Sequence, residues 1–130
     1  MFTTSFSPRF YETDAFQHIN HTVVSGWFET AREPIFRIFS PEIDITKISM
    51  ILARMEIDYI GQIYYGREVS VNTWVEKIGN SSFTVMHEAW QNETLVARGK
   101  AVQVYFNFST QKSERVPDIY RTELEKCSLE

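Results

Sequence analysis

Apolar residues recur along this chain with two different periods. Phe2, Thr4, Phe6, Pro8 and Phe10 alternate with more polar neighbours, which predicts a first strand. Pro8 cannot donate to a sheet ladder, so it belongs at an edge or an irregularity. From about His21 to Phe39 the period changes. Val24, Trp27, Phe28, Ala31, Ile35 and Phe39 return at three- and four-residue steps and make one wide apolar stripe, the mark of a helix lying on a core. Pro34 removes a helix hydrogen bond and crowds the carbonyl of Thr30, so a kink or two helical pieces are expected there. Alternation then resumes. Ile51, Ala53, Met55, Ile57 and Tyr59 are expected on one face of a strand, with Arg54, Glu56 and Asp58 on the other. Val69 to Ile78, Ser82 to Trp90 and Leu95 to Phe108 follow as strands, separated by "GNSS" and "QNET" turns short enough to make antiparallel hairpins. In the last strand the apolar phase moves from odd positions (Leu95, Ala97, Ala101) to even ones (Val102, Val104, Phe106, Phe108), which predicts a bulge near Gly99. "PDIYRTELEKC" opens on Pro117 and suits a terminal helix. The sum is an α+β chain: a bent antiparallel sheet whose apolar face is covered by the one long, aromatic-rich helix. The other face, carrying Trp74, Met86 and Trp90, is a natural place for a second subunit.

With 130 residues, the chain suits a single domain spanning 1–130 with one core. A hydrophobic share of 43% and an aromatic share of 15% exclude a disordered tail. The net charge of −4 disfavours a general nucleic-acid binder, because no strong positive field collects phosphates. There is no apolar run of membrane-spanning length and no basic, apolar leader, so no membrane partner and a cytoplasmic location are expected. Cys127, the single cysteine, excludes an internal disulfide and reads as an ordinary helix residue.

The chemistry concentrates in "ETDAFQHINH", Glu12 to His21, which joins the first strand to the helix and holds two of the three histidines. Residues there lie at or before a helix N-terminus, where free backbone N–H groups and the helix dipole favour developing negative charge. That suits an oxyanion. A nearby carboxylate, Asp14, is placed to attack a carbonyl or to activate water. Asp14 also suits a turn cap, and Asn20 a helix cap. His18 reads equally as a structural hydrogen-bonding group or a substrate contact, and His21 as a side chain or only a backbone N–H. Glu29 is either an ion-pair partner of Arg32 at i,i+3 or a group that orients water. His87, among Phe83, Val85 and Ala89, reads as structural. Asp14, His18, His21 and Glu29 have ligand chemistry, but their spacing matches no firm zinc pattern, so no metal is expected. No Gly-x-Ser-x-Gly elbow supports a serine hydrolase.

"YETDAFQHINHTVVSGWFETAR" resembles the entry motif of hotdog-fold acyl-CoA thioesterases, the family of 4-hydroxybenzoyl-CoA thioesterase and its short-chain acyl-CoA relatives. "MEIDYIGQIYYGREVSVNTWVEKIGNSSFTV" and "LVARGKAVQVYFN" are similar to its strand pattern, and the resemblance runs from about Phe6 to Pro117. It implies a bent sheet wrapped around a central helix. It also implies a thioester hydrolase acting on acyl-CoA or acyl carrier protein thioesters, without a cofactor, as a homodimer or homotetramer. By the same resemblance Asp14 is nucleophile or general base. His21, and the His18–Asn20 pair, match histidine-bearing variants of the motif. Glu29 and Arg32 match its "E-x-A-R", and Ser81 and Ser82 are placed to contact the pantetheine arm. Val24 stands where many relatives carry tyrosine. The runner-up is a non-catalytic hotdog protein that binds acyl groups or serves in assembly; a dehydratase on the same fold is third.

Overall fold

A computed structural model of the chain describes residues 1–14, 17–44, 46 and 49–129. In chain order it contains β1 (Phe2–Phe6), a 3-10 turn (Phe10–Glu12), α1 (His21–Ala31), α2 (Glu33–Phe39) and β2 (Met50–Tyr59). Then follow β3 (Val69–Ile78), β4 (Ser82–Gln91), β5 (Thr94–Asn107), the two-residue β6 (Lys112–Ser113) and α3 (Asp118–Glu125). The strands form one antiparallel sheet in the order β1-β3-β4-β5-β2, with β6 paired to the end of β5. Its concave face holds α1 and α2. This is the hotdog fold in a single domain. Among the described residues no helix is long and apolar enough to cross a membrane.

The helical stripe is buried as its period requires. Val24, Trp27, Phe28 and Ala31 of α1 and Ile35 of α2 face the sheet. They meet the odd-numbered positions of β3 and β4, such as Val69, Val71, Phe83 and Val85. Phe6 stacks on Trp27 with ring centroids 5.6 Å apart, so the first strand is clamped to the helix. The predicted break occurs one residue before the proline-bearing turn. Arg32 ends α1 and caps α2, and its carbonyl accepts the Ile35 and Phe36 N–H groups at 2.9 and 3.0 Å. Pro34 thereby sits in the first turn of α2, where its missing N–H costs nothing.

Four expectations are corrected. The first strand stops at Phe6; Pro8 is buried and Phe10 begins a 3-10 turn instead of continuing the ladder. β2 does not keep one apolar face. Its register against β5 shifts between Leu52 and Arg54, so Ala53 is an extra residue. Met55, Ile57 and Tyr59 therefore pair with the inward positions Ala101, Gly99 and Ala97, whereas Ile51 pairs with Val104 on the opposite face. β5 keeps its phase through Gly99. Ala97, Gly99, Ala101 and Gln103 all point to the core, and the irregularity lies at Val96, between the pairs Ala89–Ala97 and Trp90–Leu95. Gly99 is needed for a different reason: a Cβ there would sit 2.5 Å from Phe28 Cε2. Finally, Cys127 lies just past the end of α3, buried, with its thiol donating to the Glu123 carbonyl at 3.4 Å. Trp74, Met86 and Trp90 do lie on the face away from the helices, half-buried.

Candidate active site

The segment before α1 folds back on itself. The Asp14 N–H donates to the His18 carbonyl at 2.8 Å, and Thr13 bridges to Ile19. Gln17 takes a positive φ of 64° to close the turn. Ala15 and Phe16 lie outside the described residues. The Ile19 N–H then donates to the Ile63 carbonyl at 2.7 Å, which pins the turn to the β2–β3 connection.

Asn20 is the N-cap of α1. Its side-chain oxygen accepts from the Thr22 N–H at 2.9 Å and the Thr22 hydroxyl at 2.8 Å, while its carbonyl accepts the Val23 N–H at 3.0 Å. Those bonds occupy the second and third amides of the helix. The His21 N–H, the first amide, has no intrahelical acceptor and no partner among the described residues. It lies at the positive end of α1. An open cleft of about 320 Å³ here is lined by Asp14, Ile19, His21 and Val24 on one side and by Tyr59, Ile60 and Ile63 on the other. Asp14 and His21 are both exposed there. An acidic residue and the residue that carries the free first amide of the helix thus line one cleft.

Tyr59 is the site residue that sequence reading missed. Its hydroxyl donates to the His21 carbonyl at 3.1 Å, and its ring meets the His21 imidazole edge-on at 5.9 Å. The Val24 position offers no hydroxyl, but β2 supplies one at the same cleft. The sequence signal was an aromatic residue at a strand end two positions before Gly61, too common to single out.

The remaining expected site residues do not line this cleft. His18 is half-buried and packs edge-on against Tyr64 at 5.3 Å, and only its carbonyl is tied to Asp14. Ser81 and Ser82 sit in the β3–β4 turn, where their carbonyls accept from Tyr105 and Gly79 at 2.8 and 2.7 Å. Ser82 pairs with Val104, while the Asp14 cleft abuts Val96, whose carbonyl binds the Ile60 and Gly61 amides. Eight residues of β5 separate those points, roughly 26 Å at strand rise, so one chain cannot bring the serines to Asp14. Glu29 lies eight residues along α1 from His21, roughly 12 Å at helical rise, and lines a separate cleft. The expected Glu29–Arg32 ion pair does not form. Arg32 turns inward and is 2% exposed.

That inward turn builds a polar core at the far end of α1. Arg32 Nη1 approaches His87 Nε2 at 3.2 Å, and His87 Nδ1 lies 2.8 Å from the Thr73 hydroxyl. A guanidinium only donates, so Nε2 accepts and the imidazole proton is on Nδ1, donating to Thr73. Burial first, and the adjacent guanidinium second, push the His87 pKa from 6.5 down to about 3. Phe28 stacks flat on the imidazole at 4.7 Å. With the Gln103 amide oriented to satisfy both its ends, its oxygen accepts from Arg32 Nε at 3.1 Å and its nitrogen donates to the Ile51 carbonyl at 3.2 Å. His87 is structural, as its neighbours implied. Among the described residues no three His, Cys, Asp or Glu side chains gather as a metal site.

Residues 8–124 match the thioesterase-like superfamily. The chain belongs to that family. A predicted thioesterase from Bacillus stearothermophilus is 43% identical, with 99% of this chain and 97% of that one covered and a TM-score of 0.96. A thioesterase from Thermus thermophilus, complexed with coenzyme A and Zn, is 28% identical over 94% and 95% of the two chains, with a TM-score of 0.85. A 4-hydroxybenzoyl CoA thioesterase mutant complexed with 4-hydroxybenzoyl CoA shares the fold at 16% identity, covering 98% of each chain with a TM-score of 0.83. Among curated proteins, the uncharacterized protein YsmA of Bacillus subtilis (strain 168) is 27% identical over 84 residues, 65% of this chain. That match spans 57% of the length of YsmA.

Proposed function

We propose that this protein is an acyl-CoA thioesterase. The observation that carries the reading is that Asp14 and His21, whose N–H is the unused first amide of α1, line one cleft. The thioester carbonyl oxygen would point at the His21 N–H. As Asp14, or a water that it activates, adds to the carbonyl carbon, the oxygen gains charge and the helix-start amide stabilises it. Collapse of the adduct expels the thiolate, a good leaving group that needs little acid assistance; it leaves the free acid where water adds, or an Asp14 acyl anhydride that a water then hydrolyses to the acid and the free carboxylate. No step calls for a cofactor. Family membership and the coenzyme A and acyl-CoA complexes of structural neighbours support the substrate class.

Free-thiol release from a panel of acyl-CoAs tests the reading, and Asp14→Asn localises it. Asparagine is nearly isosteric and keeps a turn cap, but it can neither act as a carboxylate base nor form an acyl anhydride. A kcat loss of about 10²-fold or more is expected, the scale of general base catalysis. Unchanged turnover in that variant would move the chemistry away from this turn.

The site is completed by a second copy. Among the described residues β2 is paired to β5 along one edge only, and its ten-residue outer edge offers N–H and C=O groups to a further strand, flanked by exposed Ile51 and Leu52. Antiparallel pairing of two such edges about a two-fold axis sets the Tyr59 end of one β2 beside the Met50 end of the other. The Ser81–Ser82 turn of the second copy then lies on the same side as the Asp14 cleft of the first. Light scattering should give at least twice 15.3 kDa; a 15.3 kDa species alone at working concentration would remove this arrangement.

A further inference from the structure

Arg32 is a buried cation with donors to spare. Of its five N–H groups, one on Nη1 goes to His87 and that on Nε goes to Gln103. Nη2 has no partner among the described residues. Arg32 lines a second cleft, of about 220 Å³, together with Glu29, Phe36, Met50, Leu52 and Gln103. The volume suits a short chain rather than a drug-sized ligand. Phe36, Met50 and Leu52 offer apolar walls for methylene groups, and the guanidinium offers a fork for an acid. Among the described residues Glu29 is the only carboxylate at this cleft. It is exposed, makes no ion pair with Arg32, and its charge only partly offsets the lowering of the Arg32 pKa by burial. A desolvated cation without an anion in contact is costly, and a ligand carboxylate on Nη2 would relieve that cost.

We propose that this cleft binds a carboxylate on Arg32, so that the acyl groups hydrolysed here carry a second acid at their far end. The inference rests on the thioesterase reading and on paired β2 edges. In that pairing the Met50–Leu52 end of one copy abuts the Asp14 cleft of the other. The thioester and the distal acid of one short substrate are then held by different copies.

Glutaryl-CoA and pentanoyl-CoA, which differ only in the terminal group, form the test. Wild-type kcat/KM should favour glutaryl-CoA by at least about tenfold, the scale of one charge-assisted hydrogen bond. Arg32→Met should bring the ratio to one or below. Glu29→Gln removes the opposing charge without touching the core and should raise the ratio, which decides the matter if Arg32→Met does not fold. Titration calorimetry of glutarate into the Asp14→Asn protein supplies a readout independent of turnover, and binding is expected. Hydrolysis of both thioesters with no preference for glutaryl-CoA overturns the carboxylate site and leaves the thioesterase. Glutarate binding without hydrolysis of either thioester overturns the thioesterase and leaves the site. Loss of both binding and hydrolysis overturns both.

Discussion

The two ends of α1 carry similar residues in opposite settings. At its start, Asp14 and His21 are exposed beside a free helix amide, and Asn20 is spent on capping. At its end, His87 is sealed under Phe28 and held between Thr73 and Arg32, whose Nε goes to Gln103 and whose Nη2 is left unused among the described residues. Water reaches the first group and stabilises charge there, and a substrate can reach it by the same route. The second group must hold one protonation state, because a buried charge without a partner is expensive. Bond making is therefore expected at the open end, and a neutral His87 beside a fixed Arg32 charge at the closed end.

The largest effect should come from titrating the closed end. The folded-state pKa of His87, about 3, lies below the free imidazole value of 6.5. The folded protein therefore binds fewer protons than the unfolded chain between those values. The stability tied to neutral His87 is complete above pH 6.5 and is lost as pH falls toward 3, on the order of 5 kcal/mol over the window. Urea unfolding measured across that window should show a shallower pH slope in His87→Gln, which can still accept from Arg32 and donate to Thr73. Equal slopes in both proteins would mean that His87 is not held neutral.

A smaller loss is expected where the same end is merely packed. Phe28 is trapped between the His87 ring and the bare face of Gly99, so it has nowhere to move. Gly99→Ala places a methyl 2.5 Å from Phe28 Cε2 and 3.3 Å from Met55 Cε. Overpacking of this kind costs about 1–3 kcal/mol, and Phe28→Leu in the same background should recover part of it. A melt unchanged by Gly99→Ala would show that the ring is not confined.

How much of this was legible in the sequence follows the same division. Periodicity placed the strands β3, β4 and β5 and the core stripe of α1 and α2, because each is a repeated local pattern. Pro34 marked the helix break for a reason carried by the residue itself. The bulge at Ala53 was hidden, since a single inserted residue leaves the sequence looking like uninterrupted alternation. Gly99 looked like a bulge because its real constraint is a ring from another element. The Asp14 turn was legible as chemistry because its residues are adjacent in sequence. Tyr59 was not, and neither was the Arg32–His87 contact across 55 residues, since both depend on which strand lies beside α1. Glu29 and Arg32 looked like a surface pair at i,i+3, and helical spacing alone cannot tell that one of the two turns inward.

The smallest expected effect sharpens the open end of the comparison. His21 offers the cleft two different groups, an imidazole and a backbone N–H, and the mechanism above uses only the second. His21→Ala keeps the amide, the Asn20 cap and the carbonyl that accepts from Tyr59. It removes the edge-on ring contact with Tyr59, and alanine is a better helix former than histidine. The kcat on the best acyl-CoA should therefore fall by no more than about fivefold, the scale of one exposed aromatic contact. The pH–rate profile should keep its shape, because the imidazole takes no part in the proposed addition. A fall of about 10²-fold, with a changed profile and an unchanged melt, would instead assign proton transfer to the imidazole. The helix-start amide would then be an accessory to a histidine base, and the exposed end of α1 would work by side-chain titration rather than by a fixed backbone dipole.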